Sequence, residues 1–177
     1  MERRSFQGKA NPDYPAGSIT VWPATLSPAT SPVYSRVEIT VNASPPAVWA
    51  VLIRATAWPE WFPRVTRVRL DGGGDELVAE TVFRWRISGQ PFRSRVRVFE
   101  ASSQLAWESR NPLIHTFHSW HLLPAPDGCC RVVDQECQRG ALPWAARPIL
   151  RRALHRVHAE WLDSLAERLA ATDRPSR

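Results

Sequence analysis

The spacing of apolar residues changes period several times along the chain, and each change marks an element. Val37, Ile39 and Val41 alternate with Arg36, Glu38 and Thr40, which predicts a half-buried strand. Ser44-Pro45-Pro46 follows, an N-cap residue and two residues preset for a first helical turn, opening a short helix over 47–52. The stretch 57–63 reads as a second short helix confined by Pro59 and Pro63. Strand-like runs then cover 65–70, 77–87, 92–100, 105–110, 115–123 and 130–138. The breaks between them are turn-rich and short, as at Asp71-Gly72-Gly73-Gly74-Asp75 and Ser88-Gly89-Gln90-Pro91, so consecutive strands are antiparallel. The last segment returns to a helical period. Leu150, Leu154, Val157, Trp161, Leu165 and Leu169 form one stripe of a long helix starting near Pro148. A seven-stranded antiparallel sheet must bury its inner face against that helix, so the fold class is α+β.

Residues 1–33 hold Pro12, Pro15, Pro23, Pro28 and Pro32 and show neither period, which predicts a flexible arm. Tyr14, Ile19, Val21 and Trp22 would let part of it dock. A folded domain is expected over 34–171, with a disordered tail over 172–177. At 177 residues, with 44% apolar and 23% charged side chains, the chain suits one domain with its own core. No run approaches the roughly 18 apolar residues of a membrane span. Arg3-Arg4-Ser5-Phe6 looks like an export signal but lacks a following apolar stretch, and three cysteines make no disulfide framework. A cytoplasmic protein is expected. The net charge is +6, and because Lys9 is the only lysine, nearly all the basic residues are arginine. Codon usage produces such a skew as readily as function does, so the charge is a weak sign of nucleic-acid binding.

Strand alternation sorts the candidate residues by face. Thr81, Phe83, Trp85 and Ile87 oppose Arg84 and Arg86; Phe92, Ser94, Val96 and Val98 oppose Arg93, Arg95 and Arg97. The apolar sets must face the helix, since the reverse would bury five guanidinium groups. The arginines, with Arg67 and Arg69, then form an outward comb: either a solvated face or a surface for an acidic partner, a membrane or nucleic acid. No aromatic residue interleaves it, so no specific nucleic acid is expected. Trp85, Trp107 and Trp120 on strands and Trp161 on the helix share the inner face with Phe83 and Ser94. They line a ligand cavity or simply pack a core, while Trp49 and Trp58 read as structural. His115, His118 and His121 swap faces at steps of three and cannot form a metal triad. His118 shares parity with Trp120 and points inward. His158 falls between Leu154 and Leu162 on the apolar stripe, with His155 at its edge. Asp134 and Glu136 share one face of their strand, and hydrophobicity does not decide which face is inside. No Cys or His spacing fits a metal site, and neither a phosphate loop nor a nucleophile elbow is present, so no metal and no cofactor are expected.

Several segments carry a family resemblance. They are Ala43-Ser44-Pro45-Pro46-Ala47-Val48-Trp49, Trp58-Pro59-Glu60-Trp61, Phe83-Arg84-Trp85-Arg86-Ile87-Ser88-Gly89, Ser94-Arg95-Val96 and Leu105-Ala106-Trp107. His118-Ser119-Trp120, the stretch 136–140 and Trp161-Leu162-Asp163-Ser164-Leu165 complete the set. Together they resemble the START-like (SRPBCC) superfamily of polyketide cyclases/dehydrases and lipid-transfer proteins, over residues 34–171. The resemblance implies a helix-grip fold: a seven-stranded antiparallel sheet curled around the long C-terminal helix, with two short helices after the first strand. It also implies a pocket between sheet and helix, with Glu136 as a carboxylate inside it. The expected ligand is a small hydrophobic, aromatic or polyketide-like molecule. If the protein is an enzyme, the expected chemistry is cyclisation or dehydration by acid–base catalysis at His118, His158 and Glu136. Trp85, Trp107, Trp120, Phe83, Ser94 and Trp161 would bind the ligand. The alternatives are a non-catalytic carrier or sensor using the same cavity, and an interaction module using the arginine comb. A coordinate structure separates the first two: imidazole and carboxylate tips close together inside the cavity favour the enzyme.

Overall fold

A computed structural model describes residues 22–172. Seven strands form one antiparallel sheet: β1 (Val33–Val41), β2 (Val65–Leu70), β3 (Val82–Ile87), β4 (Gln90–Glu100), β5 (Gln104–Arg110), β6 (His115–Pro124) and β7 (Cys130–Arg139). Their spatial order is β1-β7-β6-β5-β4-β3-β2, so every link but the one to β1 is a hairpin to a neighbour. Between β1 and β2 lie α1 (Pro45–Ile53), a single 3-10 turn at Ala55–Ala57 and α2 (Trp58–Trp61). Ser44 caps α1, its Oγ accepting from the Ala47 amide at 3.4 Å, and the two prolines occupy the first turn where no amide donor is needed. After β7 come α3 (Ala141–Ala145) and the long α4 (Arg147–Thr172), which buries Leu154, His158, Trp161, Leu162, Leu165 and Leu169 against the sheet. This is the helix-grip arrangement.

The core is unusually aromatic. Trp58, on α2, sits among Phe83, Trp85, Trp107 and Trp161 with ring centroids 5.5–5.9 Å away, mostly edge to face. Its indole N–H donates to the Leu52 carbonyl at 3.0 Å, which ties α2 to the end of α1.

Four features differ from the sequence reading. β3 starts at Val82 and not at Leu77: the Leu77 amide bonds the Ile53 carbonyl at 2.7 Å, and Glu80, at φ 63°, turns the chain before the ladder begins. β4 carries a bulge, because Val96 pairs with Trp107 while Val98 pairs with Ala106. The extra residue, Arg97, reverses the parity beyond it. Val98 therefore faces outward, and Phe99 takes the inner face against Trp49. The short helix α3, pressed against Leu113 through a Leu142 amide to Leu113 carbonyl bond of 3.4 Å, has no apolar period to announce it.

The fourth difference concerns the arm. Leu26 is fully buried on the outer face of the sheet against Ala106, Phe117 and Cys137, and Trp22 packs on Tyr34 and Phe117. Arg139 fixes the segment by donating to the Thr25 carbonyl at 2.7 Å. From Trp22 onward the expected flexible arm is thus docked, because β5, β6 and β7 present apolar side chains outward there and water would otherwise meet them. Thr172, expected in the tail, closes α4. The expectations for 1–21 and 173–177 lie outside the described residues.

Candidate functional site

Two carboxylates and two imidazoles meet inside the fold. His118 and Glu136 are direct partners across the β6–β7 ladder, and Asp134 lies one pleat along, opposite Trp120. All three side chains point at α4, which brings down His158. Asp134 is fully enclosed, His118 and His158 are each 1% exposed, and Glu136 is 8% exposed. The tightest contact is His118 Nε2 to Asp134 Oδ1 at 2.5 Å. Glu136 Oε2 stands 3.3 Å from His118 Nδ1 and 3.4 Å from His158 Nε2, while His158 Nδ1 and Asp134 Oδ2 are 3.7 Å apart. The imidazoles lie parallel, 7° between planes and 4.9 Å between centroids. Gln138, next on the same face of β7, donates to the other Glu136 oxygen at 2.7 Å.

A neutral imidazole donates through one nitrogen only, whereas both rings here face a carboxylate at each nitrogen. Each buried carboxylate thus has an imidazole on either side of it, the close pairing that buried ionisable groups need. Burial alone would push the Glu136 carboxyl upward. The hydrogen bond with His158 and the nearby imidazole charges outweigh it and hold the carboxyl below its ordinary range. For His158, burial opposes the charge, but Asp134 and Glu136 prevail and the imidazole holds its proton more tightly than usual.

Beside this cluster the sheet and α4 part to leave a cavity of about 300 Å³. That is the small end of the roughly 300–1,000 Å³ typical of small-molecule sites. Its walls are mostly apolar: Trp85, Phe92 and Trp107 from the sheet, Ile114 from the β5–β6 turn, and Leu150, Leu154 and Val157 from α4. Glu136 and His158 are the ionisable members of the cluster that reach this wall. At the rim Arg64 binds Glu160 of α4 through both ends of its guanidinium fork, one contact being 3.0 Å from Nη2 to Oε1. A larger open groove of about 770 Å³ lies elsewhere, between α1, α2 and the end of α4, and its titratable lining residues Arg54, Glu60, Asp75 and Arg168 are at the surface.

Of the residues expected from sequence to touch a ligand, Trp85, Trp107, Glu136 and His158 line the cavity. His118 stands behind it, packed against Trp107 at 4.7 Å between centroids. Phe83, Trp120 and Trp161 are fully buried in the aromatic core and do not line this cavity. Ser94 is likewise removed: its hydroxyl accepts from the Trp85 indole at 2.8 Å and bonds Ser109 at 2.7 Å, which fixes the orientation of a wall residue. Asp134 was the member the sequence reading did not single out. Its shared parity with Glu136 was the available signal.

His118, Glu136 and His158 each offer one ligand atom, all within 4.8 Å of one another. Spacing along one strand could not reveal this donor set, because it is assembled from β6, β7 and α4. The parallel rings aim their in-plane lone pairs alongside each other, so the rings would have to tilt before a divalent cation could take both.

The arginine comb is outward, as expected, and is laced with carboxylates. Arg84 reaches Asp71 at 2.8 Å, Arg95 reaches Glu80 at 3.1 Å, and Arg97 reaches Glu108 at 2.9 Å. That neutralisation weakens its case as a docking surface.

With the fold and the site in view, the class is that of helix-grip proteins with a ligand cavity between sheet and helix. Residues 33–170 match the model of the polyketide cyclase/dehydrase and lipid transport family, and the chain belongs to that family. No curated protein sequence matches it. Among solved structures, a hypothetical protein from Helicobacter pylori is 21% identical, with a TM-score of 0.80 over 87% of this chain and 97% of that one. An aromatase/cyclase from a Streptomyces species is 19% identical, with a TM-score of 0.67 over 80% of this chain and 95% of that one. A START superfamily protein from Mycobacterium smegmatis is 14% identical, with a TM-score of 0.68 over 78% and 98%. Among the described residues no helix is long and apolar enough to cross a membrane. Membership of this family supports binding of a hydrophobic small molecule.

Proposed function

We propose that the cavity binds a small ring-bearing or polyketide-like molecule and that Glu136 and His158 move protons on it, promoting ring closure or loss of water. The observation that carries this reading is the 3.4 Å pairing of an acid and a base on the wall of an otherwise apolar cavity. In a dehydration, Glu136 takes the proton on the carbon next to a ligand carbonyl. His158 gives its proton to the departing hydroxyl, the C–O bond breaks, and water leaves as the new double bond forms. In a ring closure the same carboxylate generates the carbon nucleophile, and the imidazolium protonates the carbonyl oxygen that is attacked. His118 and Asp134 are positioning residues: they hold His158 and Glu136 in register and balance their charge. The apolar walls fold the chain against the pair and exclude water. The family spans cyclisation, dehydration and lipid transport, and it is the acid–base pair on the cavity wall that favours this chemistry over simple carriage.

The test follows deuterium exchange at the activated methylene of a β-ketoacyl thioester, alongside binding of a bicyclic phenol such as 2-naphthol. Wild-type protein is expected to bind the phenol and speed exchange. Glu136→Gln and His158→Gln should lower the exchange rate by roughly 10²–10⁴-fold, the usual contribution of general acid–base catalysis, with naphthol binding retained. Binding without exchange by wild type would make the protein a carrier. Exchange that is unchanged in both variants would overturn the site assignment.

A further inference from the structure

The corner where the β5–β6 turn meets α3 and the start of α4, adjoining the cavity wall, carries an unusual combination of exposed side chains. Four large apolar residues stand out as exposed among the described residues: Val78, Leu113, Trp144 and Ile149. Three of the four belong to the corner formed by the β5–β6 turn, α3 and the first turn of α4. Leu113 precedes cavity-lining Ile114 and receives the α3 amide of Leu142; Ile149 precedes cavity-lining Leu150. Trp144, on α3 between them, is 63% exposed and Ile149 is 71% exposed. Single exposed apolar residues need no explanation, but a tryptophan and an isoleucine grouped with Leu113 on one corner, next in sequence to residues of the cavity wall, do.

The charge of the same corner is one-sided. From Gln138 to Ala159 the chain has no Asp or Glu, while Arg139, Arg147, Arg151, Arg152 and Arg156 fall within it. Arg147, Arg151 and Arg152 are exposed and form no ion pair among the described residues, in contrast to the carboxylate-laced comb on the sheet. Arg147 also opens a 26-residue helix whose first turn contains no acid, with Arg151 and Arg152 one turn further in. The helix dipole disfavours cations there, so the arrangement costs stability in the isolated protein and gains from an external anionic surface. Arginine flanking exposed tryptophan and isoleucine is the chemistry of an interface between water and lipid: the rings enter the headgroup boundary while the guanidinium groups meet phosphates.

We propose that the α3–α4 corner docks on an anionic lipid bilayer, with Trp144, Ile149 and Leu113 entering the headgroup boundary and Arg147, Arg151 and Arg152 pairing with its charge. The docked corner adjoins the cavity wall at Ile114 and Leu150, so docking would bring the bilayer close to the cavity and shorten the path of an apolar ligand through water. The surface is separate from Glu136 and His158 and stands or falls without the proposed chemistry.

Co-sedimentation with phosphatidylcholine vesicles, with and without phosphatidylglycerol, tests it at low and at physiological salt. Binding is expected only to the anionic vesicles, and weaker as salt rises. Replacing Arg147, Arg151 and Arg152 with Gln should weaken it by about 100-fold, on the order of fivefold per arginine near a charged membrane. The double variant Trp144→Ala/Ile149→Ala should weaken it by about tenfold or more, since its apolar contribution is gone. All these residues are exposed, so the variants should keep their fold, which circular dichroism checks, and should bind soluble 2-naphthol as wild type does. Equal binding to neutral vesicles, or binding to neither kind, would overturn the proposal. So would a double variant that binds anionic vesicles undiminished, or a DNA duplex bound by wild type and double variant alike in the absence of vesicle binding, which would make the corner a general polyanion surface.

Discussion

Glu136 reaches from β7 toward His158 on α4, leaving 3.4 Å between Oε2 and Nε2 in a site closed on the remaining sides by Asp134, His118 and Trp107. The pair links the sheet to the helix electrostatically at the point where the cavity begins. Its strength depends on both charges, and so on pH.

The His158 imidazole holds its proton above the ordinary value of 6.5. Its contribution to stability is therefore complete below that value and fades as pH rises through the higher folded value. Glu136 is shifted the other way, so its contribution is complete above 4.5 and fades as pH falls through its lower folded value. Denaturant midpoints measured from mildly acidic to alkaline pH should decline on the alkaline side for wild type, and that slope should flatten in His158→Gln. His158→Ala, which leaves Glu136 with less compensation in a buried place, should cost about 3–5 kcal/mol.

Gly140 fixes the corner that follows the site. It has φ +125°, and a Cβ there would meet the Leu113 carbonyl oxygen at 2.3 Å. Gly140→Ala is expected to cost about 3 kcal/mol or more, because backbone strain of roughly 1–3 kcal/mol is joined by a collision with main chain. Thermal unfolding measures the loss. An alanine variant with unchanged stability would show that the β5–β6 turn and α3 do not meet so closely.

The outer face responds to acid. Glu108 gathers Arg97, Arg110 and His115 around one carboxylate. Burial would raise its pKa, but these donors bring it down to about 2. The stabilisation is present above about 4.5 and is lost as pH falls toward 2. His121 adds to the acid sensitivity through a separate cause. Burial, with Arg36 nearby, lowers its pKa to about 4, so the unfolded chain takes up a proton between pH 6.5 and 4 that the fold refuses. Glu108→Gln should flatten the acid limb below pH 4.5 and leave the His121 limb in place.

Leu26 tests the docked segment. Leu26→Ala removes the side chain buried over Phe117 and Cys137 and should cost about 2–5 kcal/mol, the range for a buried leucine. The Cys137 thiol, buried and shifted well upward by desolvation, should then react faster with a disulfide reagent. An unchanged reaction rate would mean that the segment does not cover this face.

Most of the architecture was legible because the strands alternate cleanly and α4 keeps its stripe for over five turns. What local pattern could not convey was set by tertiary contacts. The bulge at Arg97 reversed Val98 and Phe99 without a sequence signal, since arginine is no turn former. Leu77 looked like a strand residue because it is apolar, yet its burial comes from a loop anchored on Ile53. The site was half readable. His118 and His158 could be placed on inner faces from parity and stripe, but their meeting spans β6 and α4. Glu136 was assigned through family resemblance, and the inward direction of Asp134 depended on β7 being buried on both faces, where alternation of hydrophobicity vanishes. Trp58 read as merely structural, and its place at the centre of the aromatic cluster follows only from how α2 packs.

The central claim is that an apolar molecule binds against Glu136 and His158. Histidine side-chain NMR during titration with 2-naphthol tests it most directly, because the protein has five histidines and only His158 lines the cavity. The account predicts the largest shift at His158, a smaller one at stacked His118, and no change at His115, His121 or His155. It further predicts that Ala153→Trp, which fills the rim, abolishes the response. Saturable naphthol binding that leaves His158 unmoved, or that persists in Ala153→Trp, would place the ligand elsewhere and contradict the account.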